Sequence, residues 1–157
     1  MGTSNYLIIF MKILTIGTNG FLGSWVNKLL QKDLSNFETL EISGKKDCDV
    51  TEFSQINSYL KDKSPDIVIN CAAFVGGISY GYKYPVEMLS KNSLMAMNIY
   101  KASSENGIKK LINPISNCAY PAKFTTYKEE NIFNGPPDKS VFNYALSKRL
   151  FIQLGQA

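Results

Sequence analysis

The sequence predicts an α/β fold in which a parallel sheet is wound with helices on both faces, and three observations predict it. From Lys12 onward, short β-branched runs alternate with longer stretches of helical apolar spacing, the pattern of βαβ units. The run "PDIVINCAA" is apolar without interruption through its middle, as a strand covered on both faces is. Gly17, Gly20 and Gly23 fall where the first β-branched run gives way to the first helical stretch. A chain of 157 residues, 45% hydrophobic and 19% charged, suits one folded domain.

Each element has its own signal. Residues 1–10 read as an N-terminal extension with Met11 as the natural start, because the apolar run from Tyr6 to Met11 is short for a signal peptide and no basic residue precedes it. "KILTI" is a first strand. "GFLGSWVNKLLQK" is a helix with Phe21, Leu22, Val26, Leu29 and Leu30 on one face. "FETLEIS" is a second strand, and "TEFSQINSYLKDK" a helix capped by Thr51 and ended by Pro65. The third strand, "PDIVINCAA", runs into "FVGGISYGYKYP", a loop whose Tyr80, Tyr82 and Tyr84 form either a lid or core packing. Residues 86–106 are a long helix stopped by Gly107. "KKLINPIS" is a fourth strand whose Pro114 marks an irregular or exposed end. Residues 117–140, with Pro121, Gly135, Pro136 and Pro137, form a long functional loop, and 142–156 the last helix.

Composition narrows the function. The net charge of +4 is spread thinly, with no basic run longer than the pairs Lys45–Lys46, Lys109–Lys110 and Lys148–Arg149, so no nucleic-acid partner is expected. The positive bias suits phosphorylated small molecules. No stretch approaches the roughly 20 apolar residues that span a bilayer, so no membrane partner is expected either. Cys48, Cys71 and Cys118 form no CxxC pair and the chain has no histidine. That indicates neither a disulfide framework nor a zinc site and points to a reducing, cytoplasmic setting.

Positive chemistry begins at "GTNGFLG". Glycines at a strand-to-helix turn let the backbone approach a pyrophosphate, and the helix N-terminus favours its charge. Strand, glycines, helix and second strand occur in the order a dinucleotide site requires. Cofactor choice is written at the end of the second strand. An NAD enzyme places a carboxylate there, whereas this strand ends in Ser43, followed by Gly44, Lys45 and Lys46. NADP(H) is therefore favoured, with NAD(H) as the alternative. Tyrosine precedes lysine by four residues twice, at Tyr59/Lys63 and Tyr144/Lys148. The first pair lies on an ordinary amphipathic helix and reads as structural.

The ordered set "GTNGFLG", "DV" at 49–50, "NCAA" at 70–73, "SNCAYP" at 116–121 and "YALSK" at 144–148 resembles the extended short-chain dehydrogenase/reductases that act on nucleotide sugars. Within that family, "AAFVGGI" and "SNCAYP" are most similar to the GDP-L-fucose synthase branch. The resemblance covers residues 11–156 and implies a Rossmann-type doubly wound sheet over 11–157, incomplete, stopping before the last strands and the sugar-binding domain. It implies that Tyr144 is the proton donor or acceptor, with Lys148 one helical turn away favouring the phenolate and reaching the nicotinamide ribose. It further implies that Ser116 hydrogen-bonds the reacting oxygen and that Cys118 is acid or base beside the keto group. For the cofactor it implies Gly17, Asn19, Gly20, Phe21, Leu22 and Gly23 at the phosphates, Asp49 and Val50 at the adenine, and Ala72 and Ala73 along the groove.

The implied function is an NADP-dependent nucleotide-sugar epimerase/reductase that takes GDP-4-keto-6-deoxymannose to GDP-fucose. One alternative is an NAD-dependent nucleotide-sugar 4-epimerase or 4,6-dehydratase. The alternative of another class is a non-catalytic NAD(P)-sensing module, against which the retention of Ser116, Tyr144 and Lys148 counts. The resemblance also implies a GDP-sugar substrate and a homodimer through residues 86–106 and 142–156, with Met88, Met95, Ile99, Phe151 and Ile152 supplying contacts. The family pairs its cysteine with a downstream histidine, so these 157 residues alone are expected to bind cofactor without completing epimerisation.

Overall fold

The computed structural model describes residues 11–33 and 37–157; the expected extension at 1–10 lies outside them. The four strands are β1 (Met11–Ile16), β2 (Phe37–Ile42), β3 (Ile67–Asn70) and β4 (Lys110–Ile112). All pairings are parallel, in the order β2-β1-β3-β4. The register places Leu14 opposite both Leu40 and Val68, and Val68 opposite Leu111, which sets one continuous apolar row across the sheet.

Five helices connect and follow these strands: α1 (Phe21–Asp33), α2 (Phe53–Lys63), α3 (Ile78–Lys83), α4 (Pro85–Glu105) and α5 (Phe142–Gln156). The step from β1 to β2 runs one way along the sheet and the steps to β3 and β4 the other. Right-handed crossovers therefore put α1 on one face and α2 and α4 on the other. The core follows that division. Leu14, Ile16 and Val68 pack with Ile56 and Leu60 of α2 and with Met95, Ile99 and Ala102 of α4. α5 lies against α4, with the Tyr100 and Phe151 rings 6.2 Å apart. None of the helices among the described residues is long and apolar enough to cross a membrane.

Several expectations are corrected. The glycine- and tyrosine-rich loop contains α3, anchored by Tyr80, whose hydroxyl donates to Glu87 at 2.8 Å and whose ring lies 4.8 Å from that of Tyr84. Thr51 does not cap α2. Its hydroxyl donates to Asp49 Oδ1 at 2.6 Å, and the capping position falls to Glu52, which makes no side-chain capping bond. β4 has only three residues. Pro114 lacks a donor, and the Asn113 side chain accepts from Asn70 Nδ2 (2.9 Å) and donates to Tyr100 Oη (3.1 Å). Met88, Met95, Ile99 and Phe151 are buried within the chain, so they are core and cannot be surface contacts of a dimer. The apolar face expected of α1 is only partly covered, with Phe21, Leu22 and Leu29 exposed. Tyr59 donates to Glu41 O and Lys63 pairs with Asp62.

Candidate functional site

At the end of β1 the backbone turns through Gly17, whose φ of +86° lies in the left-handed region that favours glycine. A Cβ there would stand 2.8 Å from Ala72 N, and one on Gly23 would stand 2.1 Å from Gly17 O. The turn and the first coil of α1 are thus pressed together and against the end of β3, leaving a bare backbone rim. That rim opens onto a cavity of about 270 Å³ with Gly17 and Gly20 on one side, Ser43, Lys45, Asp49 and Val50 on another, and Ala72 and Ala73 along the third.

The two alanines also line a second cavity of about 170 Å³, where Leu22, Ser116, Tyr144 and Lys148 converge. A third, of about 430 Å³, lies beyond Tyr144, between the Val75–Ile78 segment, Cys118 and residues 139–143. Ala72 and Ala73 join the first space to the second, and Tyr144 joins the second to the third. The result is one groove along the carboxyl ends of the strands, where ligands of open α/β sheets bind. Of the residues expected at the cofactor, Gly23 serves the packing of the turn. Asn19 and Phe21 line none of these cavities; the Phe21 ring points outward and is 86% exposed.

The segment after β3 is held by Asn92. Its Oδ1 accepts from Phe74 N (2.9 Å), and its Nδ2 donates to Phe74 O (2.8 Å) and Met88 O (2.8 Å). Asn92 is fully buried. An asparagine on the apolar stripe of α4 was the sequence signal for this clamp.

On the β2 side, the Lys45 ammonium pairs with Asp49 Oδ2 at 2.7 Å. Burial pushes the Asp49 carboxyl up, but hydrogen bonds from Lys45 and Thr51 together outweigh it and hold it below the ordinary value. Asp47 Oδ2 accepts from the backbone N–H groups of Ser43 (2.8 Å) and Gly44 (3.3 Å), which shapes the turn. Glu41 accepts from Asn27 of α1 at 2.8 Å, so the carboxylate nearest the strand end faces away from the groove.

At the other end, the short turn Asn117–Ala119 is capped by Ser116, whose Oγ accepts from Cys118 N at 3.2 Å. Lys148 is 6% exposed. Burial lowers its ammonium pKa, opposed by the Cys71 thiol. Its Nζ lies 4.7 Å from the Phe151 ring centroid and 5.5 Å from that of Tyr144, over the ring faces. The Tyr144 phenol is pushed up by burial and then by the charge of Cys118. Lys148 sits beside Tyr144, one helical turn away, as the spacing implies.

A family model described as the NAD dependent epimerase/dehydratase family matches residues 13–157. The chain belongs to the NAD dependent epimerase/dehydratase family. It is 34% identical over 139 residues to a GDP-L-colitose synthase of Yersinia pseudotuberculosis, covering 88% of this chain and 44% of that protein. It is 31% identical over 147 residues to a GDP-L-fucose synthase of Dictyostelium discoideum, covering 92% and 46%. Among solved structures, it is similar to a GDP-L-fucose synthetase of Naegleria fowleri, with a TM-score of 0.83 and 30% identity, covering 93% of this chain and 43% of that one. A second structure of that enzyme is bound to NADP, with the same figures. The chain spans about half the length of the curated relatives it matches. Its parallel sheet with flanking helices is of the Rossmann type.

Proposed function

We propose that the chain is the cofactor-binding and proton-transfer part of an NADP-dependent epimerase/reductase acting on a GDP-4-keto-6-deoxy sugar. The observation that carries this reading is the joint at Tyr144: one side of the phenol faces a dinucleotide-shaped groove and the other a separate cavity shared with Cys118. The groove fits the cofactor on its own evidence. Its glycine rim has no side chain at Gly17 or Gly20, and the β2 end offers Ser43 and Lys45 with no carboxylate turned inward at Glu41. Asp49 faces it too, but Lys45 and Thr51 already engage both carboxylate oxygens.

The bound dinucleotide supplies or accepts the hydride. The remaining chemistry belongs to this chain. Tyr144, at the joint between the two cavities, is poised to give a proton to the sugar oxygen. Lys148 places a buried amine at the ribose end of the groove, and the Ser116 hydroxyl orients the reacting oxygen. Cys118, in the same cavity as Tyr144, exchanges a proton at the carbon beside the carbonyl. The relatives named for GDP-L-fucose and GDP-L-colitose support a GDP-sugar, and the solved relative bound to NADP supports that cofactor. Two copies meet through α4, where Val86, Leu94 and Met97 remain exposed.

The test is nicotinamide absorbance, together with deuterium incorporation from solvent, on incubation with GDP-4-keto-6-deoxymannose. It is run on this chain and on a polypeptide of the relatives' length that carries it. NADPH oxidation with deuterium beside the former carbonyl is expected from the longer polypeptide. Oxidation of NADPH by neither would overturn the reading, and sedimentation showing a monomer at high concentration would remove the dimer.

A further inference from the structure

The chain has sixteen lysines and one arginine, and that arginine sits at a junction. Arg149 Nε donates to Ala119 O at 2.7 Å, and its Nη2 donates to Gly135 O at 2.8 Å. Ala119 closes the turn that carries Ser116 and Cys118. Gly135 begins the turn that passes through Asp138, which accepts from Ser140 N at 2.8 Å, into residues 139–143 on the wall of the third cavity. Between the two carbonyls the limbs of this loop pair with each other. Pro121 bridges Pro137, and Ala122 N donates to Pro136 O at 3.1 Å. Arg149 closes the neck of the loop from α5, one residue after Lys148.

Among the described residues no carboxylate lies within ion-pair distance of Arg149. Its polar partners are the two carbonyls, and its guanidinium carbon lies 5.6 Å from the Phe133 ring centroid. A planar fork can serve two carbonyls in fixed directions, whereas a lysine ammonium is a point charge on a flexible stem. Tyr144 and Cys118 come from different segments, and acid–base chemistry at adjacent atoms of a sugar depends on their relative placement. We infer that Arg149 is a positioning residue that fixes Cys118 against Tyr144 by tying both limbs of the 117–141 loop to α5. The kinetic consequence rests on the function proposed above; the tie itself does not.

The experiment compares Arg149→Ala and Arg149→Lys with the parent chain. Cys118 alkylation is resolved from that of Cys48 and Cys71 by mass spectrometry, folding is followed by circular dichroism, and NADPH affinity by titration. Losing charge-assisted hydrogen bonds at the neck should speed Cys118 labelling about tenfold in Arg149→Ala, with NADPH affinity unchanged because the glycine end is untouched. Added methylguanidine should slow labelling back toward the parent rate, and ethylammonium should not. Arg149→Lys should label fast despite its charge. In a polypeptide that turns over, deuterium incorporation should fall with KM for NADPH unchanged. Should Arg149→Ala fail to fold, Arg149→Lys decides. Parent-like labelling in Arg149→Lys, or no response to methylguanidine in a folded Arg149→Ala, overturns the inference. If the parent incorporates no deuterium, the functional reading fails while the labelling arm still tests the tie.

Discussion

At the Gly17 end of the groove one wall is backbone: a left-handed glycine, a helix start pressed onto it, and the strand ends of β1 and β3. At the Tyr144 end the walls are side chains brought from four segments and held by clamps. Ser116 caps its own turn, Asn92 donates to Met88 O, and Arg149 reaches two carbonyls across a loop. A backbone-built end tolerates side-chain change and fails on an added Cβ. A clamp-built end tolerates small backbone changes and fails when one functional side chain is altered. Binding belongs to the first end and proton transfer to the second, so the two should separate under mutation.

The largest expected effect is at the clamp-built end. Tyr144→Phe should reduce hydride transfer by about 10²–10⁴-fold, the scale of a lost general acid, in a polypeptide that turns over. Its NADPH affinity should stay near that of the parent. Tyr59→Phe, which has the same spacing to a lysine but donates to Glu41 O, should change neither. Similar kinetic losses in both variants would erase the distinction between the two tyrosine–lysine pairs.

Next comes the backbone-built end. Gly23→Ala would put a methyl group 2.1 Å from Gly17 O, and something in the turn must move. Destabilisation of about 3 kcal/mol in urea unfolding is expected, at the upper end of overpacking costs, together with weaker NADPH binding. Gly77→Ala is the matching change on the wall of the third cavity. An added Cβ there meets nothing within 4 Å and the backbone has a φ of −62°, so stability should hold. Equal losses at the two positions would contradict the contrast between the ends.

The same contrast explains what sequence made legible. β1, β2, β3, α4 and α5 announce themselves through periodicity and glycine, and their order already assigns the groove. α3 does not, because six residues with a central Gly81 cannot display a helical repeat. Spacing put Met88, Met95, Ile99 and Phe151 on helix faces but is silent on what covers a face; burial shows that this chain's own core does. Tyr144 and Lys148 were legible as a pair, whereas the direction of their pKa values depends first on burial and then on the nearby Cys118 and Cys71, which spacing does not show. The tie at Arg149 joins residues 30 and 14 positions distant, and no local pattern encodes it.

A smaller effect should appear at high pH. Burial, then the neighbouring Asp49 and Asp47, pushes the Cys48 thiol from its ordinary value of 9.0 up to about 11. Between those values the unfolded chain releases a proton that the folded chain keeps, so this contribution is fully present below pH 9 and is lost as pH rises through 11. The loss amounts to at most roughly 3 kcal/mol. Cys48→Ala should flatten the decline of unfolding free energy between pH 9 and 11. An unchanged slope would mean that the thiol is not shielded, and that this wall of the first cavity is more open than its packing indicates.

The smallest effect concerns cofactor choice at the backbone-built end. Lys45 is the cationic side chain at the β2 end of that cavity, yet it is paired with Asp49 at 2.7 Å. The lysine side chain is 69% exposed, and exposed pairs contribute little, about 0.2–1 kcal/mol, so exchanging the carboxylate for a phosphate costs little. Asp49 need not follow, because Thr51 N and Oγ1 still hold its other oxygen at 3.0 and 2.6 Å. The parent chain should therefore bind NADPH more tightly than NADH in titration calorimetry. Lys45→Ala should shrink that preference by about fivefold, near 1 kcal/mol for one exposed charged contact. NADH affinity should stay constant, because the change touches only the group that distinguishes the cofactors. Lys46→Ala, which removes the adjacent charge from outside the cavity lining, should leave the ratio unchanged. If Lys45→Ala weakened both cofactors equally, Lys45 would be shaping the turn through Asp49 rather than reading the phosphate, and the preference for NADPH would have to arise from the Ser43 turn itself.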